Sequence, residues 1–253
     1  MSFSVYGFYS SVAAQASPTY VNLTPLADTI ATVNGNLLYV GALNNLVGAL
    51  LFGTTADQSK VVTPSLLNIS PYQIVNVPQS PLPVSTMSLA FTPASPFKLV
   101  TNEGLQVYSS NSNTTTASPT FALVALSDGA LAPVTGEIIT ARATITTSAT
   151  ADVWENAALS FDTVLPAGTY NLVGARVEGA HTKAFRMVFQ GNTSVRPGSL
   201  AALGVNGNDV AGSRRGGWGV WGTFDQFTPP TVDHVADGTS ETAVVYLDLI
   251  KAS

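Results

Sequence analysis

The sequence predicts an all-β protein built from packed antiparallel sheets. Runs of strand-forming residues recur along the whole chain, and Pro, Gly, Asn and Ser separate them. Charged residues make up only 10% of the 253 residues, while 45% are hydrophobic. Short strands at this spacing are typical of sandwiches, jelly rolls and barrels. The length is sufficient for one large β domain or two small ones, each with its own core.

The predicted strands are short and rich in β-branched or aromatic residues, which favour the pleated backbone. The sequence LPAGTY before one of them predicts a turn, because Pro presets φ and Gly allows a positive φ. In chain order, the predicted strands are 72–77, 121–126, 137–147, 169–179, 184–190, 218–224 and 242–250.

One segment departs from this pattern. Between residues 34 and 53, Leu38, Leu43, Leu46 and Leu50 recur at a spacing that places them on one helical face. This predicts a short helix near residues 36–52, although three internal glycines weaken a helix there. A hairpin of strands is the alternative.

Charge divides the chain into two halves. Before Leu131 there are six charged residues and no arginine, whereas all six arginines lie between Arg142 and Arg215. Each half also ends with a polar loop followed by an apolar strand. We therefore expect two sandwich domains, 1–130 and 131–253, joined near residues 127–136.

Composition argues against several classes of function. The net charge of −5 and the absence of Lys or Arg before Lys60 disfavour a nucleic-acid-binding protein, which needs a basic surface. There is no cysteine, which excludes thiol chemistry and Cys-zinc sites. His181 and His234 are the only histidines, and the chain has no GxSxG motif, which disfavours a serine hydrolase. Asp233 and Asp237 flank His234 in VDHVAD, which we interpret as a solvated turn. We expect no enzymatic activity, no cofactor and no metal.

The stretch SRRGGWGVWGTFDQF, residues 213–227, raises the question of a binding site. In an extended strand, Trp218 would face the core and Trp221 would lie on the other face, beside small residues that leave a flat strip. Arg214 and Arg215 precede the strand and can reach a carboxylate or a phosphate. We predict that these four residues form a packing strip or a contact between subunits. Base stacking by the tryptophans is disfavoured because no basic channel accompanies them.

A resemblance to a known family rests on residues 165–204, LPAGTYNLVGARVEGAHTKAFRMVFQGNTSVRPGSLAALG, and on the final strand. This pattern resembles the double jelly-roll major capsid proteins of small tailless icosahedral phages. The resemblance implies two eight-stranded jelly rolls, trimers that act as hexagonal tiles, and a closed shell around a genome, often with an internal membrane. A single elaborated jelly roll is the alternative fold.

Two functions follow as hypotheses. The first is a capsid protein that self-assembles through trimers into an icosahedral shell, is synthesised in the host cytoplasm and resides in the virion. Its partners would be further copies, other capsid or vertex proteins and the internal membrane that the resemblance implies, without strong direct binding to nucleic acid. The second is a carbohydrate-binding or receptor-binding β-sandwich module, in which an exposed Trp154 or Trp221 stacks on a sugar.

Overall fold

The computed structural model describes residues 2–14, 19–53, 56–64, 73–76, 87–88, 94–111, 113–192, 194–203 and 214–252. Within these residues the named elements are 21 β-strands, so the protein is all-β, as predicted. The chain divides into two compact units. We call Tyr6–Asp128 the amino-terminal unit, and Gly129–Ser253 together with Met1–Val5 the carboxy-terminal unit.

The amino-terminal unit contains most of β1 and the next ten strands. Their bounds are β1 Phe3–Val12, β2 Val21–Pro25, β3 Thr32–Asn34, β4 Leu37–Tyr39, β5 Asn45–Gly53, β6 Ala56–Val62, β7 Gln73–Asn76, β8 Met87–Ser88, β9 Phe97–Lys98, β10 Gly104–Asn111 and β11 Ser118–Ser127. Eight of them form two rows of neighbours, β1-β11-β5-β8 and β2-β10-β6-β7, while β3 and β4 form a hairpin that extends from β10.

The carboxy-terminal unit contains the remaining ten strands. Their bounds are β12 Ile139–Thr146, β13 Glu155–Ala157, β14 Ser160–Phe161, β15 Thr169–Gly179, β16 Thr182–Val188, β17 Gly198–Leu200, β18 Ala202–Leu203, β19 Gly222–Asp225, β20 Thr231–Ala236 and β21 Thr242–Ala252. One sheet has the order β14-β12-β21-β15-β18 with β19 also paired to β15, and the other has the order β13-β20-β16-β17.

The same connectivity underlies both units. The eight principal strands are β1, β2, β5, β6, β7, β8, β10 and β11 in the amino-terminal unit and β12, β13, β15, β16, β17, β19, β20 and β21 in the carboxy-terminal unit. Counted in chain order within each unit, the first neighbours the eighth, the second the seventh, the third the sixth and the fourth the fifth. The eighth strand then lies beside the third, and the seventh beside the fourth. This is the order produced when one long antiparallel ribbon wraps around itself, which is the jelly roll. The chain therefore contains two jelly rolls, and the prediction of a tandem fold is confirmed.

The helix predicted near residues 36–52 is wrong. The segment contains β4 and most of β5, and β5 runs antiparallel to β11 with Gly48 opposite Ala125 and Phe52 opposite Phe121. A long pairing of this kind satisfies the backbone of the segment, whereas its internal glycines each disfavour a helix by about 1 kcal/mol.

Strand alternation fills the interior of each unit. On β12, Ala143 and Ile145 are buried while Arg142 and Thr146 are exposed, which is the two-residue period of a half-buried strand. In the amino-terminal unit a continuous cluster of buried side chains includes Phe8, Leu23, Leu46, Leu105 and Val124.

Candidate functional site

The segment 214–221, which leads into β19, contains the predicted site. The strand predicted at 218–224 begins only at Gly222. Before it the backbone turns, with positive φ angles of 80° at Gly216 and 79° at Gly219. Side chains therefore do not alternate between two faces, and both Trp218 and Trp221 point into the interior. The prediction that Trp218 and Trp221 lie on opposite faces of a strand is wrong, because both side chains are buried, with Trp221 only 4% exposed.

Arg214 binds the fully buried carboxylate of Asp248 on β21 through two hydrogen bonds. Its Nε donates to Oδ2 at 2.5 Å and its Nη2 donates to Oδ1 at 2.8 Å. The backbone N–H of Arg215 donates to Oδ2 at 3.0 Å, and the hydroxyl of Thr140 donates to Oδ1 at 3.0 Å. Burial would raise the pKa of Asp248, but these donors outweigh it and hold that pKa below its usual value. The sequence predicts that Arg214 can reach a carboxylate, but it does not identify Asp248 as that carboxylate.

Two glycines allow this segment to lie close to its neighbours. A Cβ on Gly174 of β15 would lie 2.9 Å from the Cα of Arg214, and one on Gly216 would lie 2.4 Å from the carbonyl oxygen of Val134. The N–H of Gly216 donates to the carbonyl of Val173 at 2.7 Å, where the register of β15 against β21 shifts. The arginine pair is thus part of a tight turn fastened to the sheet.

The two tryptophans belong to an aromatic cluster within the carboxy-terminal unit. Phe3 meets Trp218 edge to face at 5.3 Å between ring centroids and meets Trp221 at 5.4 Å. Trp221 also stacks on Phe185 of β16, with centroids 6.4 Å apart. Burial and ring packing give both tryptophans a role in the core. Of the four predicted residues, Arg215 alone is exposed.

Trp154 lies elsewhere, in the loop before β13. The guanidinium of the buried Arg186 lies over its ring, 4.2 Å from the centroid. Arg186 in turn donates from Nε to Asp233 Oδ2 at 2.9 Å, and Asn156 donates to the other oxygen of Asp233 at 2.9 Å. One face of the half-buried Trp154 is therefore occupied by a cation, which leaves less of the ring for a sugar.

The histidines have opposite surroundings. VDHVAD is mostly strand β20 rather than a solvated turn, so that interpretation is wrong, and His234 is buried. Burial lowers the pKa of His234, whose Nε2 accepts a hydrogen bond from the N–H of Ser148 at 3.0 Å. His181 contacts Asp237 with 2.9 Å between Nδ1 and Oδ2, and this hydrogen bond raises the pKa of His181.

The described residues contain no group of three or more His, Cys, Asp or Glu side chains placed to hold a metal ion. Across the same described ranges, no helix has the length and apolar character needed to cross a membrane. The contacts at the predicted site, which are an ion pair, close backbone approaches and ring packing, stabilise the fold of the carboxy-terminal unit.

No protein-family model matches the chain, and no curated protein shows significant similarity to it. Among solved structures, the chain is similar to the crystal structure of the major capsid protein P2 from bacteriophage PM2. The sequence identity is 11%, the comparison covers 98% of this chain and 97% of that chain, and the TM-score is 0.26.

Proposed function

We propose that this chain is a structural capsid protein that assembles with copies of itself into an icosahedral shell around a viral genome. The observation that carries the proposal is the repeated jelly-roll strand order in both units of one chain. Jelly rolls are the fold of many viral capsid proteins, and they also occur in lectins and cupins. In this proposal the units act as two jelly-roll domains at 1–130 and 131–253, with the first five residues packing with the second domain.

The composition supports assembly. With 10% charged residues, the surface offers little electrostatic repulsion between copies. Obligate contacts between subunits bury more than about 2,000 Å² in total and are mainly apolar. We infer that the building unit is a trimer closed around a threefold axis. Other capsid or vertex proteins and an internal membrane are the further proposed partners, and the virion is the proposed location after synthesis in the host cytoplasm.

The site residues divide between two roles in this proposal. Arg214, Trp218 and Trp221 hold the carboxy-terminal unit together, whereas the exposed Arg215 is available to contact a neighbouring copy. In this proposal the protein has no catalytic role. Its net charge of −5 disfavours strong direct binding to nucleic acid. The alternative of a sugar-binding module loses Trp221, which is buried, and keeps only the part of Trp154 that Arg186 does not cover.

Electron microscopy of the purified full chain tests the proposal. We expect closed shells or hexagonal arrays of a uniform repeat. A matched comparison of Arg215→Ala with Arg214→Ala separates the two roles: the first should reduce assembly without lowering thermal stability, and the second should lower stability. Uniform isolated monomers at all concentrations tested would overturn the capsid proposal.

A further inference from the structure

Exposed large apolar side chains are few, and three of the four lie in the carboxy-terminal unit. Among the described residues they are Val100 at 65% exposure, Ile139 at 42%, Val164 at 88% and Phe227 at 84%. The last three belong to the carboxy-terminal unit. Ile139 begins β12, Val164 lies in the loop before β15, and Phe227 follows β19. Singly exposed apolar residues are normal on a protein surface, so the relevant question is which of these residues adjoin one another.

Two of these residues border a groove of about 340 Å³. One wall is the start of β12, from Ile139 to Arg142, and the other is the loop from Asp162 to Pro166. The small strand β14 pairs with β12 only at Ala143 and Thr144, and the N–H of Asp162 donates to the carbonyl of Arg142 at 3.1 Å. Within the described residues, no strand pairs with the first three residues of β12, 139–141, on this side. The groove thus combines apolar walls with an open sheet edge, which can accept a partner.

Phe227 is an exposed aromatic side chain of a size that can enter such a groove, and it lies in a turn stabilised by hydrogen bonds. Its N–H donates to Asp225 Oδ1 at 2.9 Å, and the N–H of Thr228 donates to the carbonyl of Asp225 at 2.9 Å. Gln226 exchanges hydrogen bonds with Gly168, accepting at 2.6 Å and donating at 3.2 Å. A turn fixed before binding reduces the ordering entropy that a contact must overcome.

Phe227 does not line the groove of its own chain. Ile139 stands in one row across the sheet with Leu249, Leu172 and Gly222, so β12 and β19 are three strand spacings apart, about 14 Å. The end of β19 at Asp225 lies three residues further along, which adds about 10 Å in the strand direction. A side chain at 227 therefore cannot reach the β12 wall of its own groove.

We propose that Phe227 of one copy inserts into the groove beside Ile139 of a neighbouring copy. The two surfaces differ, so the contact is heterologous, and a heterologous contact with a rotation of 120° closes into a ring of three. The charges are compatible: Asp225 is the charged residue in the Phe227 turn, and the groove contains the guanidinium of Arg142, which is paired with Asp162 and keeps 47% of its side chain exposed. Because Arg142 is paired with Asp162, the charged residues that line the groove cancel, which does not favour an anionic lipid surface. This inference rests on the proposed function, because it supplies the contact that closes the trimer.

Engineered cysteines test the contact directly, because the chain has no cysteine of its own. We expect the Ile139→Cys/Phe227→Cys double variant of the full chain, under mild oxidation, to form disulfide-linked dimers and closed trimers. A bond within one chain is excluded, since a disulfide requires Cα atoms within about 7 Å. Mixing the two single variants should give dimers only. The matched control is Ile139→Cys/Val100→Cys, which places the second thiol on another exposed apolar residue.

The outcomes separate this inference from the capsid proposal. Shells that form normally while the double variant links no more than the Val100 control would overturn the Phe227 contact and leave the capsid proposal standing. Linking of Phe227→Cys to itself would mean a twofold contact and would also overturn the inference. If the unmodified chain forms neither oligomers nor shells, the capsid proposal itself fails. Tryptophan fluorescence should show that every variant remains folded, because both positions in the double variant are exposed.

Discussion

Removal of the Arg214 side chain should weaken the carboxy-terminal unit strongly. Arg214→Ala leaves Asp248 buried with two of its four donors, the N–H of Arg215 and the hydroxyl of Thr140. Breaking a buried ion pair from one side costs about 3–5 kcal/mol. Since half of the donors remain, we expect the lower end, a decrease of about 3 kcal/mol in the free energy of unfolding.

The loss should depend on pH in a defined direction. The folded pKa of Asp248 is lowered, so the ion pair stabilises the protein above the unfolded pKa of about 3.9, and this contribution is lost as the pH falls through the folded value. In Arg214→Ala burial dominates and raises the pKa of Asp248. The variant should therefore be most impaired near neutral pH, and its deficit should shrink on acidification as the carboxyl group binds a proton.

Urea unfolding followed by tryptophan fluorescence measures this unit selectively, because Trp154, Trp218 and Trp221 all lie in it. For a slope of about 2 kcal/mol/M, the midpoint should fall by about 1.5 M at pH 7. The control is Arg214→Met/Asp248→Asn, which removes both charges and should cost less than Arg214→Ala alone. A loss below about 1 kcal/mol at pH 7, or the same loss at pH 7 and pH 4, would refute the role assigned to this ion pair.

Three further predictions concern single positions in the same unit. Gly216→Ala should lower the free energy of unfolding by about 1–3 kcal/mol, because it combines a φ of 80° with a Cβ 2.4 Å from the Val134 carbonyl; an unchanged urea midpoint would contradict this. The bond to Asp237 raises the pKa of His181, so this bond stabilises the folded protein below the unfolded pKa of about 6.5 and is lost as the pH rises through the folded pKa. In an NMR titration, Asp237→Asn should lower the pH at which His181 is half protonated. Burial lowers the pKa of His234, so stability should fall as pH drops below about 6.5, and His234→Gln should flatten that decline in urea midpoints measured from pH 7 to pH 5.

Local sequence patterns predict the position of a strand correctly where the strand is half-buried and begins at a recognisable turn. The strand predicted at 169–179 is β15, Thr169–Gly179, because LPAG ends with glycine at a φ of 150° and the following side chains alternate. A helix was predicted at the segment of β5 because its leucines also fall on one helical face. Its partner β11 lies about 75 residues later, and no local pattern encodes that pairing.

The structure of the candidate site depends more on contacts between residues far apart in the sequence than the positions of the strands do. Asp248 is 34 residues from Arg214, and the positive φ at Gly216 and Gly219 could not be distinguished from ordinary strand glycine in the sequence. The alternation of a strand therefore predicts Trp218 and Trp221 on opposite faces, whereas the turn directs both inward. The position of His234 was mispredicted for a related reason. The prolines before VDHVAD suggested a loop, but the segment is strand β20, in which Asp233 bonds Arg186 across the sheet and His234 faces the interior.

The mass of the native full chain in solution, measured by mass photometry in low and high salt, tests the central claim most directly. Because few ion pairs are available, the contacts between copies should be mainly apolar and hydrogen-bonded, and salt screens such contacts little. We predict trimers or larger multiples of three at micromolar concentration in both buffers. A stable monomer in both buffers would contradict the assignment of this double jelly-roll chain as a self-assembling shell protein.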